Sequence, residues 1–112
     1  MPSDQSVIRL IDIRYNIHLV QQWLHGLTFY QFAEDTMRVY AVVRALEIIS
    51  EASRRVGSDI KNRHPDIAWS KMAGAGNIYR HDYDDVVEQF VWKTATTDLP
   101  QLLAAVESEL AR

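Results

Sequence analysis

Residues Asn77-Ile78-Tyr79-Arg80-His81-Asp82-Tyr83 place an amide, a guanidinium, an imidazole, a carboxylate and phenols side by side. On a helix, Asn77 and His81 stand one turn apart on one face, and Gly76, Arg80 and Tyr83 share another. Arg80 and His81 are then about 100° apart around the axis, so both can border one groove. An imidazole that titrates near neutrality beside a permanent cation suits metal-independent cleavage of a phosphodiester. His81 would take the proton from a ribose 2′-hydroxyl, and Arg80 would offset the charge that builds on the phosphorus oxygens. The competing reading is structural, because a surface histidine among charged neighbours is ordinary.

The charge pattern bears on the same stretch. The whole chain carries −3, which argues against coating nucleic acid by bulk attraction. The charge is unevenly spread: residues 1–53 carry −2, residues 54–81 carry +4, and residues 82–112 carry −5. The basic residues of the middle segment are Arg54, Arg55, Lys61, Arg63, Lys71 and Arg80. Such a segment is either a local phosphate site or a solvated basic loop, and charge alone does not separate the two.

The elements that must position this chemistry read as helices. Leu10, Ile13, Ile17, Val20 and Leu24 recur every three or four residues, the mark of one helical face. Gly26 ends that element. Thr28 and Gln31 have the spacing of a capping box opening the next helix, and no Gly or Pro interrupts residues 32–54. Val39, Val42, Leu46 and Ile49 supply its apolar stripe, widened by Val43. Two long amphipathic helices joined by a few residues are expected to pack antiparallel. Gly57-Ser58-Asp59 and His64-Pro65-Asp66 break the pattern, with a short helix or turn between them.

From Trp69 to Tyr83 the chain carries Gly74 and Gly76. Each costs about 1 kcal/mol relative to alanine inside a helix. The segment is therefore a loop, or a helix whose backbone must approach something closely. Residues 84–94 form a further helix with Val87, Phe90 and Val91 inward. Asp98 and Gln101 predict a second capping box, with Pro100 in the tolerated first turn. Leu99, Leu103, Val106 and Leu110 form the stripe of the last helix. No strand-like alternation competes. The expectation is an all-α antiparallel bundle of about four to six helices, residues 1–112 forming one domain.

Several classes fall away. An apolar fraction of 47% is too high for a disordered chain. No apolar run approaches the roughly 20 residues that cross a bilayer, so no membrane association is expected. The N-terminus lacks a basic region followed by an apolar stretch, and there is no cysteine for disulfides or thiolate metal sites. A cytoplasmic location fits. Trp69, with Ile67, reads as a core or interface anchor rather than a base-stacking platform. Glu47 and Glu51 lie one turn apart, but no histidine follows at metal-ligand spacing. Neither a metal nor a cofactor is expected, and Glu51 is expected to hold an arginine of the basic segment. His18, His25 and His64 receive no role.

Taken in order, several pieces resemble the HepT-like ribonuclease family, a branch of the HEPN helical domains, over nearly the whole chain. They are Phe32-Ala33-Glu34-Asp35, Ala45-Leu46-Glu47-Ile48-Ile49-Ser50-Glu51-Ala52, Pro65-Asp66-Ile67-Ala68-Trp69, Asn77 through Tyr83, Val91-Trp92, and Asp98-Leu99-Pro100-Gln101-Leu102. The family's catalytic pattern is R-x-x-x-x-H-x-Y. His81 and Tyr83 match its end, whereas the arginine position falls on Gly76. Arg80, one turn later on the same face, leans back over the preceding turn and can occupy the vacated space.

The resemblance implies an endoribonuclease toxin that acts as a homodimer on RNA rather than DNA. It also implies a nucleotidyltransferase antitoxin that adenylylates the motif tyrosine, here Tyr83. A bulky anion added there would obstruct the groove and mask its charge. Two readings follow. In the first, His81 is the general base, Arg80 the phosphate clamp, Asn77 an orienting amide, and Tyr83 both site member and modification target. In the second, Gly76 has cost the chain its cleavage activity. It then serves as a non-catalytic nucleotide-binding or regulatory subunit of the same transferase.

Overall fold

The computed structural model describes residues 4–74 and 85–112, all-helical with no strand among them. Helix α1 (Asp4–Leu24) forms where the apolar spacing calls for it. Leu10, Ile13, Ile17 and Val20 are fully buried and Leu24 nearly so. Gly26 stops the chain with φ +77°, a conformation open to glycine without a Cβ penalty, and the Leu27 amide donates to the Leu24 carbonyl at 3.0 Å.

The next helix departs from expectation. The capping box forms: the Gln31 amide donates to Thr28 Oγ1 at 3.2 Å, and the Thr28 amide to Gln31 Oε1 at 2.9 Å. It opens only a short α2 (Phe29–Glu34), and a separate α3 (Thr36–Arg54) follows instead of one helix running to Arg54. Asp35 makes the break. Its carboxylate accepts the Arg38 amide at 3.0 Å and the Arg38 guanidinium at 2.9 Å, while Arg38 Nε donates to the Trp23 carbonyl at 2.7 Å. A capping side chain, held by a cation that also grips the end of α1, outweighs continuation of the helix. Thr28→Ala is expected to cost about 1 kcal/mol, read as a fall of about 5 °C in thermal midpoint.

Helices α1 and α3 pack antiparallel, as their stripes require. Arg9 and Asp12 share a depression with Glu47, Ile48 and Glu51, whereas Trp23 at the far end meets Met37, Arg38 and Ala41. Val42, Leu46, Ile49 and Ala52 of α3 complete this core. Removing each of the three larger side chains from water contributes on the order of 2 kcal/mol. The short α4 (Ser58–Arg63) stands between the two breaks, with Ile60 inward. A helical segment at residues 69–74, α5, follows. Among the described residues nothing lies within 4 Å of a Cβ built on Gly74. Close approach by that part of the protein is therefore not the reason for this glycine.

A second departure lies at the C-terminal end. Helix α6 (Asp85–Lys93) runs through a π-helical turn (Thr94–Asp98) straight into α7 (Leu99–Leu110). The capping box expected from Asp98 and Gln101 does not form: Asp98 has helical angles and no side-chain cap bond. Its carboxylate instead lies 3.6 Å from Lys71 Nζ. Pro100 lacks an amide proton and would crowd the carbonyl four residues back in a regular helix. The wider π turn, with the Leu99 amide bonded to the Thr94 carbonyl, admits it without ending the helix. The buried stripe of α7 is Leu99, Leu102, Val106 and Glu109, with Leu103 and Leu110 at its edge. Expectation had put Leu103 and Leu110 inward.

Candidate functional site

Asn77, Arg80, His81 and Tyr83, with Gly76, lie outside the described residues. What the fold shows is how their flanks are held. On the N-terminal side α5 is buried through Met72, and on the C-terminal side α6 is buried through Val91. The two come together at a cavity of about 70 Å³ lined by Lys71 and Met72 of α5, Phe90 of α6, and Thr94 and Asp98 of the π turn. Helix α6 is further locked to α2 by aromatic packing. Trp92 sits 5.5 Å from Phe32 and 6.0 Å from Phe29, centroid to centroid.

Helix α5 is tied to α3 by side chains as well as by packing. The Ala73 carbonyl accepts two hydrogen bonds from α3, one from Ser50 Oγ and one from Arg54 Nη2, both at 2.8 Å. Arg54 is held in turn by Glu51, which accepts from its Nη1 at 3.0 Å and from Arg55 Nε at 3.1 Å. Glu51 thus holds arginines of the basic segment, as the sequence suggests. Trp69 is half-buried against the core, and its indole N–H donates to the His64 carbonyl at 3.0 Å. This accords with an anchoring role.

A second polar cluster was not foreseen. Glu109 is 2% exposed, and its carboxylate takes Arg63 on both oxygens, Nη2 at 2.6 Å and Nε at 3.2 Å. His64 Nε2 lies 2.6 Å from the same carboxylate. The hydrogen bonds from Arg63 are the main cause that holds the Glu109 carboxyl down at about 2, against burial, with His64 adding to them. Glu109 in turn raises Arg63 above its ordinary value, chiefly by the same hydrogen bond. The cluster clamps the bend after α4 to the last turn of α7. Its sequence signal was a carboxylate on an apolar face: Leu102, Val106 and Glu109 step by four and three, and a buried acid needs a partner. His64, to which no role had been given, is one of two such partners, 45 residues away.

The fold also redistributes the basic excess of residues 54–81. Arg54 and Arg55 pair with Glu51, Arg63 with Glu109, and Lys71 with Asp98. Three acidic residues of the flanking segments thus pair with four of its cations, Arg54 and Arg55 sharing one carboxylate. Among the described residues no group of three or more His, Cys, Asp or Glu side chains could hold a metal ion, and no helix is long and apolar enough to cross a membrane.

Comparison with known proteins agrees with this architecture. Residues 13–109 match the family described as Ribonuclease HepT-like. A protein of Thermococcus cleftensis named "Probable ribonuclease HepT" is 38% identical over 98 residues, covering 88% of this chain and 89% of its own. A relative in Methanocaldococcus jannaschii, named as an RNase, is 35% identical over 98 residues, covering 88% of this chain and 90% of its own. No solved structure matches the chain. The match spans the bundle from the middle of α1 to the last turn of α7, Glu109 included, and places the chain in the HepT-like ribonuclease family.

Proposed function

We propose that the protein is a metal-independent endoribonuclease whose reaction centre is the stretch from Asn77 to Tyr83. The observation that carries the reading is the family match over residues 13–109, joined to the intact His81-x-Tyr83 end of the family's motif. The relatives' names as ribonucleases point the same way. His81 removes the proton from a ribose 2′-hydroxyl, whose oxygen attacks the adjacent phosphorus. The bond to the 5′-oxygen breaks, leaving a 2′,3′-cyclic phosphate and a 5′-hydroxyl that takes up a proton. Arg80 balances the charge gathered on the phosphate oxygens, and Asn77 orients the phosphate.

In this reading residues 1–112 form one HepT-like domain, and two copies pair so that their motif stretches face a common cleft. The protein works in the cytoplasm as a toxin, restrained by a nucleotidyltransferase antitoxin that adenylylates Tyr83. Gly76 favours the second reading, a non-catalytic nucleotide-binding or regulatory subunit of that transferase. Incubating purified protein with single-stranded RNA in excess EDTA decides between them. Cleavage to cyclic-phosphate ends supports the enzyme, and intact RNA at micromolar protein supports the subunit.

A further inference from the structure

The motif lacks its arginine at Gly76, three residues beyond Ala73, and a cation from another helix is fastened to the Ala73 carbonyl. We propose that Arg54 binds a phosphate of the RNA strand that reaches the motif. The proposal rests on the ribonuclease reading and adds a substrate-binding residue to it.

Connectivity alone keeps the guanidinium near the start of the motif. Three peptide links keep the Gly76 Cα within about 11 Å of the Ala73 Cα in any conformation. Arg54 Nη2 lies 2.8 Å from the Ala73 carbonyl oxygen, so its charge is delivered to the threshold of the motif. It is also available. Arg54 Nη2 and Nη1 each give one N–H, to Ala73 and to Glu51. A guanidinium has five N–H donors, so three have no partner among the described residues, on a side chain that is 54% exposed. A fixed fork with donors to spare is the geometry that suits phosphate oxygens.

Bracing alone does not call for this arginine. Ser50 already donates to the same carbonyl at 2.8 Å with a neutral hydroxyl. Arg54 adds a charge where a hydrogen bond was already made. Nor does Glu51 cancel that charge, because it is shared with Arg55, and Lys61 Nζ lies 3.4 Å from the Arg54 carbonyl. Two guanidinium groups therefore share one carboxylate, and a third cation lies beside the Arg54 backbone. Arg55 continues the surface toward α1, where it lines a concavity of about 610 Å³ with Gln5, Ile8 and Arg9. Among the described residues its lining holds two guanidinium groups and no carboxylate, which suits a phosphodiester backbone.

The test is binding of a labelled single-stranded RNA across a salt series, in a His81→Ala background so that the strand stays whole. Cleavage by the parent protein in EDTA is measured alongside. Arg54→Ala is expected to weaken binding about tenfold at low salt. The slope of log affinity against log salt should shrink by about 0.7, one phosphate contact on a single strand. Arg54→Lys should keep the slope and lose part of the affinity. Ser50→Ala, which removes the neutral brace, should leave the slope unchanged. If Arg54→Ala unfolds, Arg54→Gln keeps a donor for Ala73 without the charge and should show the same loss of slope.

Equal slopes for Arg54→Gln and the parent would overturn the proposal and leave Arg54 as a brace, even if the parent cleaves RNA. If the parent binds RNA without cleaving it, the ribonuclease reading fails, while a shrunken slope still supports Arg54 as a phosphate contact. A parent protein that binds no RNA sinks the proposal.

Discussion

Glu109→Ala should lower the thermal midpoint by about 12 °C or more, with no RNA present and no change in helix content below the transition. The carboxylate is 2% exposed and carries both Arg63 and His64. Removing it takes the shared acceptor from a guanidinium and an imidazole that are both partly covered, and leaves a void where a side chain was almost wholly buried. Breaking a buried ion pair from one side costs roughly 3 kcal/mol or more, which is large against a total stability of about 5–15 kcal/mol. A domain of this size converts that to the stated fall. Glu109→Gln, which keeps the shape and one acceptor oxygen, should fall by less. An unchanged midpoint in Glu109→Ala would show that the cluster is an incidental surface pairing.

The same carboxylate sets an acid limit. Its pKa is about 2 in the folded protein against an ordinary 4.5. The folded state therefore binds the Glu109 proton more weakly than the unfolded chain does. Its contribution to stability is complete above pH 4.5, shrinks as pH falls from 4.5 toward 2, and is gone below 2. Denaturant midpoints at pH 6 and pH 3 should thus differ more in the parent than in Glu109→Gln, which has no proton to take up there. Identical acid losses in both would assign the acid sensitivity to other carboxylates.

The second large effect concerns chemistry rather than stability. His81→Ala should reduce RNA cleavage in EDTA by about 10²- to 10⁴-fold, the range lost with a general base. The thermal midpoint should stay within a few degrees, and RNA affinity at fixed salt should change little, because phosphate contacts carry it. Arg80→Ala should lower cleavage by a comparable factor and weaken binding as well, since it removes a cation. Cleavage that survives His81→Ala would remove the imidazole from the mechanism and with it the role given to residues 77–83.

Thr28 and Gln31 have the spacing of a capping box and form one, because the chain before Thr28 has been turned out of a helix at Gly26. Asp98 and Gln101 have the same spacing and do not, because the chain arrives at Asp98 already helical and Lys71 lies near its carboxylate. Asp35 shows the reverse. Nothing in residues 32–54 announces a break, yet Arg38 links Asp35 to the Trp23 carbonyl, 15 residues back, and the helix starts again there. Identical local signals thus have different outcomes, set by partners that come from elsewhere in the chain.

The helical class, the inward face of α1, the antiparallel pairing of the long helices and the family could all be read from residue order. The family rests on the resemblance of motifs taken in order; the others depend on periodicity or on contacts within a turn or two, and the apolar stripes have one economical way to leave water. The Arg63–His64–Glu109 clamp, the two donors that α3 places on Ala73, and the run of α6 through a π turn into α7 could not be read that way. They join residues up to 46 positions apart or depend on which neighbour claims a side chain first. A buried charge or a bent helix is stable only beside a particular partner, and folding is what brings that partner within reach.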